Sequence, residues 1–152
     1  MRIVLALLAA SAVLGAADPA GFGQWKGAEL KSYDKKLALK IDAQKIGSAP
    51  LANYGNHNLM VIHREGSGQA EYHEKQADLF IVQSGEATLV VGGTVVDPKT
   101  TEPNEIRGPS IKDGVSKHLG PGDVVHIAAK TPHQLMLDPG KQITYAVMKV
   151  NE

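Results

Sequence analysis

Two patterns of hydrophobic and polar positions divide the chain. In residues 25–46, apolar side chains recur at Leu30, Tyr33 and Leu37 with lysines on the other side, and this spacing predicts a short amphipathic helix. After residue 50 the apolar residues come in short runs rich in Val, Ile and Leu. Turn residues separate these runs, which read NLMVIHRE, DLFIVQSG, ATLVVGG, GDVVHIAA, HQLMLDPG and QITYAVMKV. Many short strands divided by turns are typical of an all-β sandwich or barrel.

The first residues have the pattern of a secretory signal peptide. Arg2 precedes an apolar run from Ile3 to Leu14, and small residues follow as far as Ala17. The run is short and close to the terminus, which favours a cleaved signal over its alternative, an uncleaved anchor. We therefore divide the chain into a signal peptide (1–17), an N-terminal extension with the helix (18–50) and a β domain (51–152). A periplasmic or secreted protein without a stable membrane span after processing is expected.

Residues 92–119 interrupt the strand pattern, because this segment is long, polar and broken by prolines. Lys112, Asp113 and Gly114 lie between Ile111 and Val115 and predict a local hairpin. A long excursion in a compact β domain is either a lid or binding loop over a site, or a solvated connection between strands. The sequence leaves both interpretations open.

Composition narrows the function classes. The chain has 16 Lys and Arg against 16 Asp and Glu, so no basic excess drives binding to nucleic acid or anionic lipid. It contains no cysteine, so its stability comes from a packed core and any metal site uses nitrogen and oxygen ligands.

The stretch EYHEKQAD, residues 71–78, concentrates potential metal ligands. In an extended strand Glu71 and His73 point to the same face, because side chains alternate. Asp78 shares its face with Phe80 and Val82 in the next run, which suggests an interior carboxylate. Such a group is costly to bury unless it is paired or bound to a cation. A solvated charged turn is the alternative for this segment.

A second stretch, TPHQLMLD, repeats this arrangement, with His133 above the apolar Leu135 and Leu137 on one face. The donors that would then line the mouth of a barrel are Glu71, His73, Asp78 and His133. Imidazoles with carboxylates suit a divalent first-row metal ion such as Fe, Mn, Ni or Zn. A hydrogen-bonded histidine without a metal is the alternative for His133.

Two motifs resemble those of the cupin superfamily. EYHEKQADLFIVQSGEATLVVGG resembles the first cupin motif, with His73, then Asp78 after a four-residue gap, then Gly85. GPGDVVHIAAKTPHQ resembles the second, and His133 takes the place of its histidine. The resemblance implies a small cupin β-barrel, or jelly roll, with a metal site inside it.

The sequence also departs from the cupin motifs. Glu71 stands where the first histidine is expected, and Asp78 replaces a glutamate. In the second motif, Ala128 and Lys130 replace the usual Pro and Gly. The site is therefore a two-histidine, two-carboxylate site, a two-histidine, one-carboxylate site with open positions, or a degenerate site that holds no metal.

These observations leave several functions open. The resemblance implies a metal-dependent enzyme such as an oxygenase or isomerase, in which His73, Asp78 and His133 hold the metal and Glu71 is a fourth ligand or the general base. The alternative is a non-catalytic cupin that binds a metal or a small-molecule ligand. His126 either lines the pocket or faces the other way. A homodimer that covers an exposed sheet edge is expected.

Overall fold

The computed structural model describes residues 17–152, so the predicted signal peptide lies outside the described part except for Ala17. Within this part, no helix is both long and apolar enough to cross a membrane. One α-helix, α1 (Gly27–Ala38), confirms the predicted amphipathic segment. The other regular elements of the described residues are strands.

The strands form two main sheets and a small ribbon. In chain order they are β1 (Ile46–Asn53), β2 (His57–Arg64), β3 (Ala70–His73), β4 (Gln76–Gly85), β5 (Ala87–Val91), β6 (Thr94–Val95), β7 (Lys99–Glu102), β8 (Glu105–Gly108), β9 (Ile111–Lys112), β10 (Val115–Leu119), β11 (Val124–Ile127), β12 (His133–Met136) and β13 (Ile143–Asn151).

All strand pairs are antiparallel, and the strand order follows β1-β2-β13-β4-β11 in one sheet and β10-β5-β12-β3-β8-β7 in the other. The ribbon pairs β6 with β9. Strand β1 begins at Ile46, five residues before the predicted start of the β domain at residue 51.

The core lies between the two main sheets. Phe80 and Val82 of β4 face Leu89 and Leu135 of the other sheet, and Val147 of β13 is fully buried among them. The alternating apolar residues in the strand runs therefore form one shared interior, as the period of two predicts.

Helix α1 packs on the outside of the five-stranded sheet. Leu37 is its buried residue, and Asp34 accepts a hydrogen bond from Ser84 at 3.2 Å. Beneath the helix, His63 is 1% exposed and lies 2.8 Å from the hydroxyl of Thr144. The helix thus covers polar groups that would otherwise face solvent on that side of the sheet.

The segment 92–119 is mostly β-structure. Strands β7 and β8 form a hairpin through Asn104, which has a positive φ of 66°, and this hairpin extends the six-stranded sheet. The chain does turn at Asp113 (φ 59°). However, the predicted local hairpin is wrong, because β9 pairs with β6 while β10 pairs with β5. Long-range pairing outcompetes the local turn here.

Candidate metal centre

Strand register brings the candidate residues to one end of the barrel. His133 lies opposite Glu71 in the β12–β3 pair, and Glu71 lies opposite Arg107 in the β3–β8 pair. On the other sheet, Asp78 of β4 lies opposite Lys149 of β13. Directly opposed residues on one face have Cβ atoms only about 5 Å apart, so each pair can interact.

Three side chains converge at this end. One ligand atom from each of Glu71, His73 and His133 lies within 4.8 Å of the others. The two imidazole rings are 5.2 Å apart between centroids, and both are almost fully buried. The predicted convergence of His73, His133 and a carboxylate is therefore present.

Asp78 joins the cluster from the facing sheet. Its Oδ2 lies 3.4 Å from Nε2 of His73 and 3.5 Å from Nε2 of His133. The side chain is 2% exposed, and Phe80 and Val82 share its face, as predicted. All four predicted donors thus meet at one end of the barrel.

Hydrogen bonds on the far side of each ring orient the imidazoles. Nδ1 of His73 lies 2.7 Å from the Glu105 carboxylate, and Nδ1 of His133 lies 3.1 Å from the carbonyl oxygen of Thr131. Both partners are hydrogen-bond acceptors, so each Nδ1 carries the proton and donates. The Nε2 atoms therefore point to the common centre, which is the arrangement of histidine metal ligands with their outer partners.

Lys149 reaches the same centre. Its Nζ lies 3.1 Å and 3.2 Å from the two oxygens of Asp78, and 3.1 Å from Nε2 of His73. This ammonium balances the buried carboxylate. When Nε2 of His73 is unprotonated it accepts a hydrogen bond from Lys149, and when it is protonated it donates to a carboxylate.

Two arginines hold Glu71. Its Oε2 lies 2.7 Å from the Arg107 guanidinium, and its Oε1 lies 3.3 Å from that of Arg64. Burial alone would raise the pKa of Glu71, but the hydrogen bond with His73 and the positive charge of Arg107 outweigh it and lower this pKa to about 2. Glu71 is therefore a carboxylate at neutral pH.

The carboxylates in turn act on His73. Burial disfavours its charged form, but hydrogen bonds with Asp78 and Glu71 prevail and raise the pKa of His73 to about 9. The pKa of Asp78 is lowered although burial opposes this, because both histidines and Lys149 stabilise its negative charge. In the absence of a metal the cluster is a network of paired charges.

The donor set fits a divalent ion. Nε2 of His133 is buried and has no hydrogen-bond partner among the described residues. This orphaned nitrogen faces Asp78 and Glu71, and a cavity of about 30 Å³ lies beside these groups. Two imidazole nitrogens with carboxylate oxygens are a ligand set that first-row metals accept.

The mouth of the barrel is open and polar. A depression of about 520 Å³ borders the cluster, because Glu105, Arg107 and Lys149 line it. Its lining residues are Gln69, Gln76, Thr101, Glu102, Glu105, Arg107 and Lys149. Its size and polar lining suit a small molecule with hydrogen-bonding groups.

The structure decides between the two orientations that the sequence left open for His126. His126 is exposed and faces away from the pocket, since Ile127 is the inward residue of β11. Arg64 and Arg107 both pair with Glu71, and the sequence showed no sign of either contact. At the second motif, Lys130 stands in the place of Gly and adopts the φ of 63° that this turn needs.

Sequence reasoning did not select Glu105, Arg107 or Lys149. A signal for Lys149 was present, because it follows Tyr145 and Val147 on the inward face of β13, just as Asp78 precedes Phe80. The other two lie in the segment read as a loop, where no apolar alternation marks a strand.

The fold matches solved structures of cupins. A cupin-2 domain protein from Rhodospirillum rubrum aligns with a TM-score of 0.52 at 16% identity, covering 72% of this chain and 62% of the other. A candidate mannose-6-phosphate isomerase from Ralstonia eutropha JMP134 aligns with a TM-score of 0.52 at 16% identity, covering 74% and 90%. A polyketide cyclase from Streptomyces resistomycificus has a TM-score of 0.50 at 18% identity, covering 74% and 69%.

No protein-family model matches the chain, and no curated protein matches its sequence. At these identities the structural similarity shows the fold alone. The chain therefore has the cupin barrel fold that its two motifs predict.

Proposed function

We propose that this protein is a periplasmic or secreted metal-binding cupin that binds a small molecule at its barrel mouth and acts on it. One observation carries the proposal: one ligand atom from each of His73, His133 and Glu71 lies within 4.8 Å of the others. The buried Nε2 of His133 has no hydrogen-bond partner in the described part of the chain, although Oδ2 of Asp78 lies 3.5 Å away. A histidine nitrogen left in this state is costly unless something binds it.

In this proposal His73 and His133 hold the ion together with Asp78 or Glu71. Bound there, a divalent metal would supply Lewis-acid chemistry, or oxidation chemistry if it is iron. Glu105 and the carbonyl of Thr131 keep both imidazoles in the ligating tautomer by accepting hydrogen bonds from their Nδ1–H groups.

Glu71 suits a ligand better than a general base. Two arginines and His73 lower its pKa to about 2, so it takes up a proton poorly near neutral pH. Arg107 is half-buried and lines the mouth depression, where it can also orient an anionic or hydroxyl group of a ligand.

The reaction class is proposed from proteins with a similar fold. The structures with a similar fold named above include a candidate mannose-6-phosphate isomerase and a polyketide cyclase. If the bound metal is catalytic, we propose that it supports an isomerase-like or oxygenase-like reaction on a small molecule.

A non-catalytic binding protein is the second candidate. The observation that favours it is the ion pair between Lys149 and Asp78, in which the ammonium contacts both carboxylate oxygens without a metal. In that case the barrel would hold a metal or a small ligand without turnover.

Elemental analysis tests the metal site. The full chain is expressed without added metal, and the recovered protein is analysed for bound metal and titrated with Fe²⁺, Mn²⁺, Ni²⁺ and Zn²⁺. Wild-type protein should bind about one ion, and His73→Ala and His133→Ala should each lose this site. His126→Ala is the matched control, because His126 is exposed on β11.

Absence of stoichiometric metal under all of these conditions would refute the proposal. If metal binds but does not support turnover of candidate sugars and other small hydroxy or keto compounds, the binding protein is favoured over the enzyme.

Localisation and assembly belong to the same proposal. Mass spectrometry of the recovered protein tests cleavage after Ala17, and light scattering tests the homodimer. A retained N-terminus would favour an anchor over a signal peptide.

A further inference from the structure

Lys149 lies on the inward face near the end of β13, after Tyr145 and Val147. Its Nζ contacts both oxygens of Asp78 at 3.1 Å and 3.2 Å, and Nε2 of His73 at 3.1 Å. The register explains this position, since Lys149 is the direct cross-strand neighbour of Asp78.

These atoms are the ones that the proposed ion would use. Nε2 of His73 has one lone pair in its ligating form, so it cannot accept a hydrogen bond from Lys149 and coordinate a metal at once. An ammonium this close to a divalent ion would also be repelled by it, and most strongly in a buried site.

We propose that Lys149 is a built-in cation that occupies the metal site when no metal is bound and competes with the metal for Asp78 and His73. The inference rests on the proposed function, because it assumes that these residues bind a metal. Metal binding requires the Lys149 ammonium to leave both partners.

The charges around the cluster explain why such a cation is useful. Glu71, Asp78 and Glu105 bring three carboxylates to the two imidazoles. Arg64 and Arg107 neutralise Glu71, but Asp78 faces the histidines from the other sheet, and among the described lysines and arginines its ion-pair partner is Lys149. Lys149 therefore lets the barrel fold with Asp78 charged before a metal arrives, at the cost of weaker metal binding.

The side chain has a place to move to. Lys149 is 19% exposed, and it lines the mouth depression as well as the inner cavity. Rotation of its flexible side chain towards the mouth would release Asp78 and His73 without any change in the strands.

The test compares the metal affinity of wild-type protein, Lys149→Met and Lys149→Ala at one fixed pH. Each protein is titrated with Co²⁺ and with Mn²⁺, and binding is measured by calorimetry and, for Co²⁺, also by its absorption spectrum. Lys141→Met is the matched control, because Lys141 also pairs with a carboxylate, Glu86, but on the exposed surface. Removing Lys149 should tighten metal binding roughly ten- to hundredfold, since a buried ion pair no longer has to be broken. Lys141→Met should bind metal like the wild type.

Ethylammonium provides a second measurement. In Lys149→Ala it can enter the space left by the side chain, so it should weaken Co²⁺ binding in proportion to its concentration. It should have no such effect on the wild type. If Lys149→Met does not fold without metal, the variant is purified with Co²⁺ bound. The release of Co²⁺ to a chelator should then be at least about tenfold slower from the variant than from the wild type.

Equal affinity or equal release in wild type and Lys149→Met would overturn the inference while leaving the metal site in place. Failure of both proteins to bind any metal would overturn the proposed function together with the inference. Binding by the variant alone would support Lys149 as the resident cation of the native protein, and it would refute the proposal that the native protein itself binds a metal.

Discussion

Glu105 offers a sharp test of how the site is built. Its carboxylate lies 2.7 Å from Nδ1 of His73, and it also lies 3.4 Å from the guanidinium of Arg107. Removing it in Glu105→Ala takes away the outer partner of one imidazole, and two separate quantities should change.

The first quantity is the stability of the metal-free protein. A hydrogen bond between charged groups contributes about 1.5–3 kcal/mol. Because the Glu105 side chain is 22% exposed, solvent screens part of this contribution, and we expect a loss of about 1–2 kcal/mol in the free energy of unfolding. Urea denaturation in the presence of a chelator measures it.

The second quantity is metal affinity. Loss of an outer partner of a histidine ligand lowers metal affinity by about 10- to 100-fold. The metal affinity of Glu105→Gln should lie between those of the wild type and Glu105→Ala, because its amide oxygen still accepts the Nδ1 hydrogen bond but carries no charge. Calorimetric titration with the preferred metal compares the two variants with the wild type.

Glu102→Ala is the matched control for both measurements. Glu102 lies opposite Glu105 in the β7–β8 hairpin but is exposed. If Glu105→Ala changes stability and metal affinity no more than Glu102→Ala does, Glu105 does not support His73 as an outer partner.

Two further predictions concern pH and backbone. The metal-free protein should be most stable between about pH 4.5 and 6.5, as thermal melts across pH in a chelator would show. Although burial opposes its charge, the carboxylates raise the pKa of His73 from 6.5 to about 9, so its contribution is complete below 6.5 and is lost as pH rises through 9. Burial likewise opposes the ionised Glu71, but its partners lower its pKa from 4.5 to about 2, so its contribution is lost as pH falls from 4.5 through 2. If His73→Gln lost stability at alkaline pH as the wild type does, the assignment of that decline to His73 would be wrong. Gly85→Ala should cost about 3 kcal/mol or more, because at φ 74° an added Cβ would collide with the carbonyl of Gln142. Gly92→Ala, at φ 77° but with open space around the Cβ, should cost only about 1 kcal/mol, and equal losses in urea denaturation would refute the argument from the collision.

The alternation of side chains predicted much of the fold and of the site. In β4 and β12, Asp78 and His133 lie on the same face as the apolar residues that follow them. The pattern therefore identified both strands and the inward-facing donor of each. The cupin motifs added the order in which the two halves of the site occur along the chain.

Alternation does not say which of two faces is buried when both carry apolar residues. In β11, Val124 and His126 share one face and Val125 and Ile127 the other. Packing decides between them, and Val124 is 64% exposed while Ile127 is 2% exposed. The expectation for His126 could not be settled locally for this reason.

Residues brought in by distant strand pairing are the hardest to foresee. Glu105 and Arg107 lie in a short polar strand, and they reach the site because β8 pairs with β3. Nothing in the local sequence specifies that partner, since β8 has no buried apolar face of its own. Its position depends on the rest of the barrel.

The place of β13 has a consequence for biosynthesis. This last strand lies between β2 and β4 and pairs with both along most of its length. Until it leaves the ribosome, the sheet has a gap at its centre, and the pairings with high sequence separation cannot form. The nascent chain is therefore expected to remain without a closed barrel until β13 has left the ribosome, a state in which chaperones can still bind it.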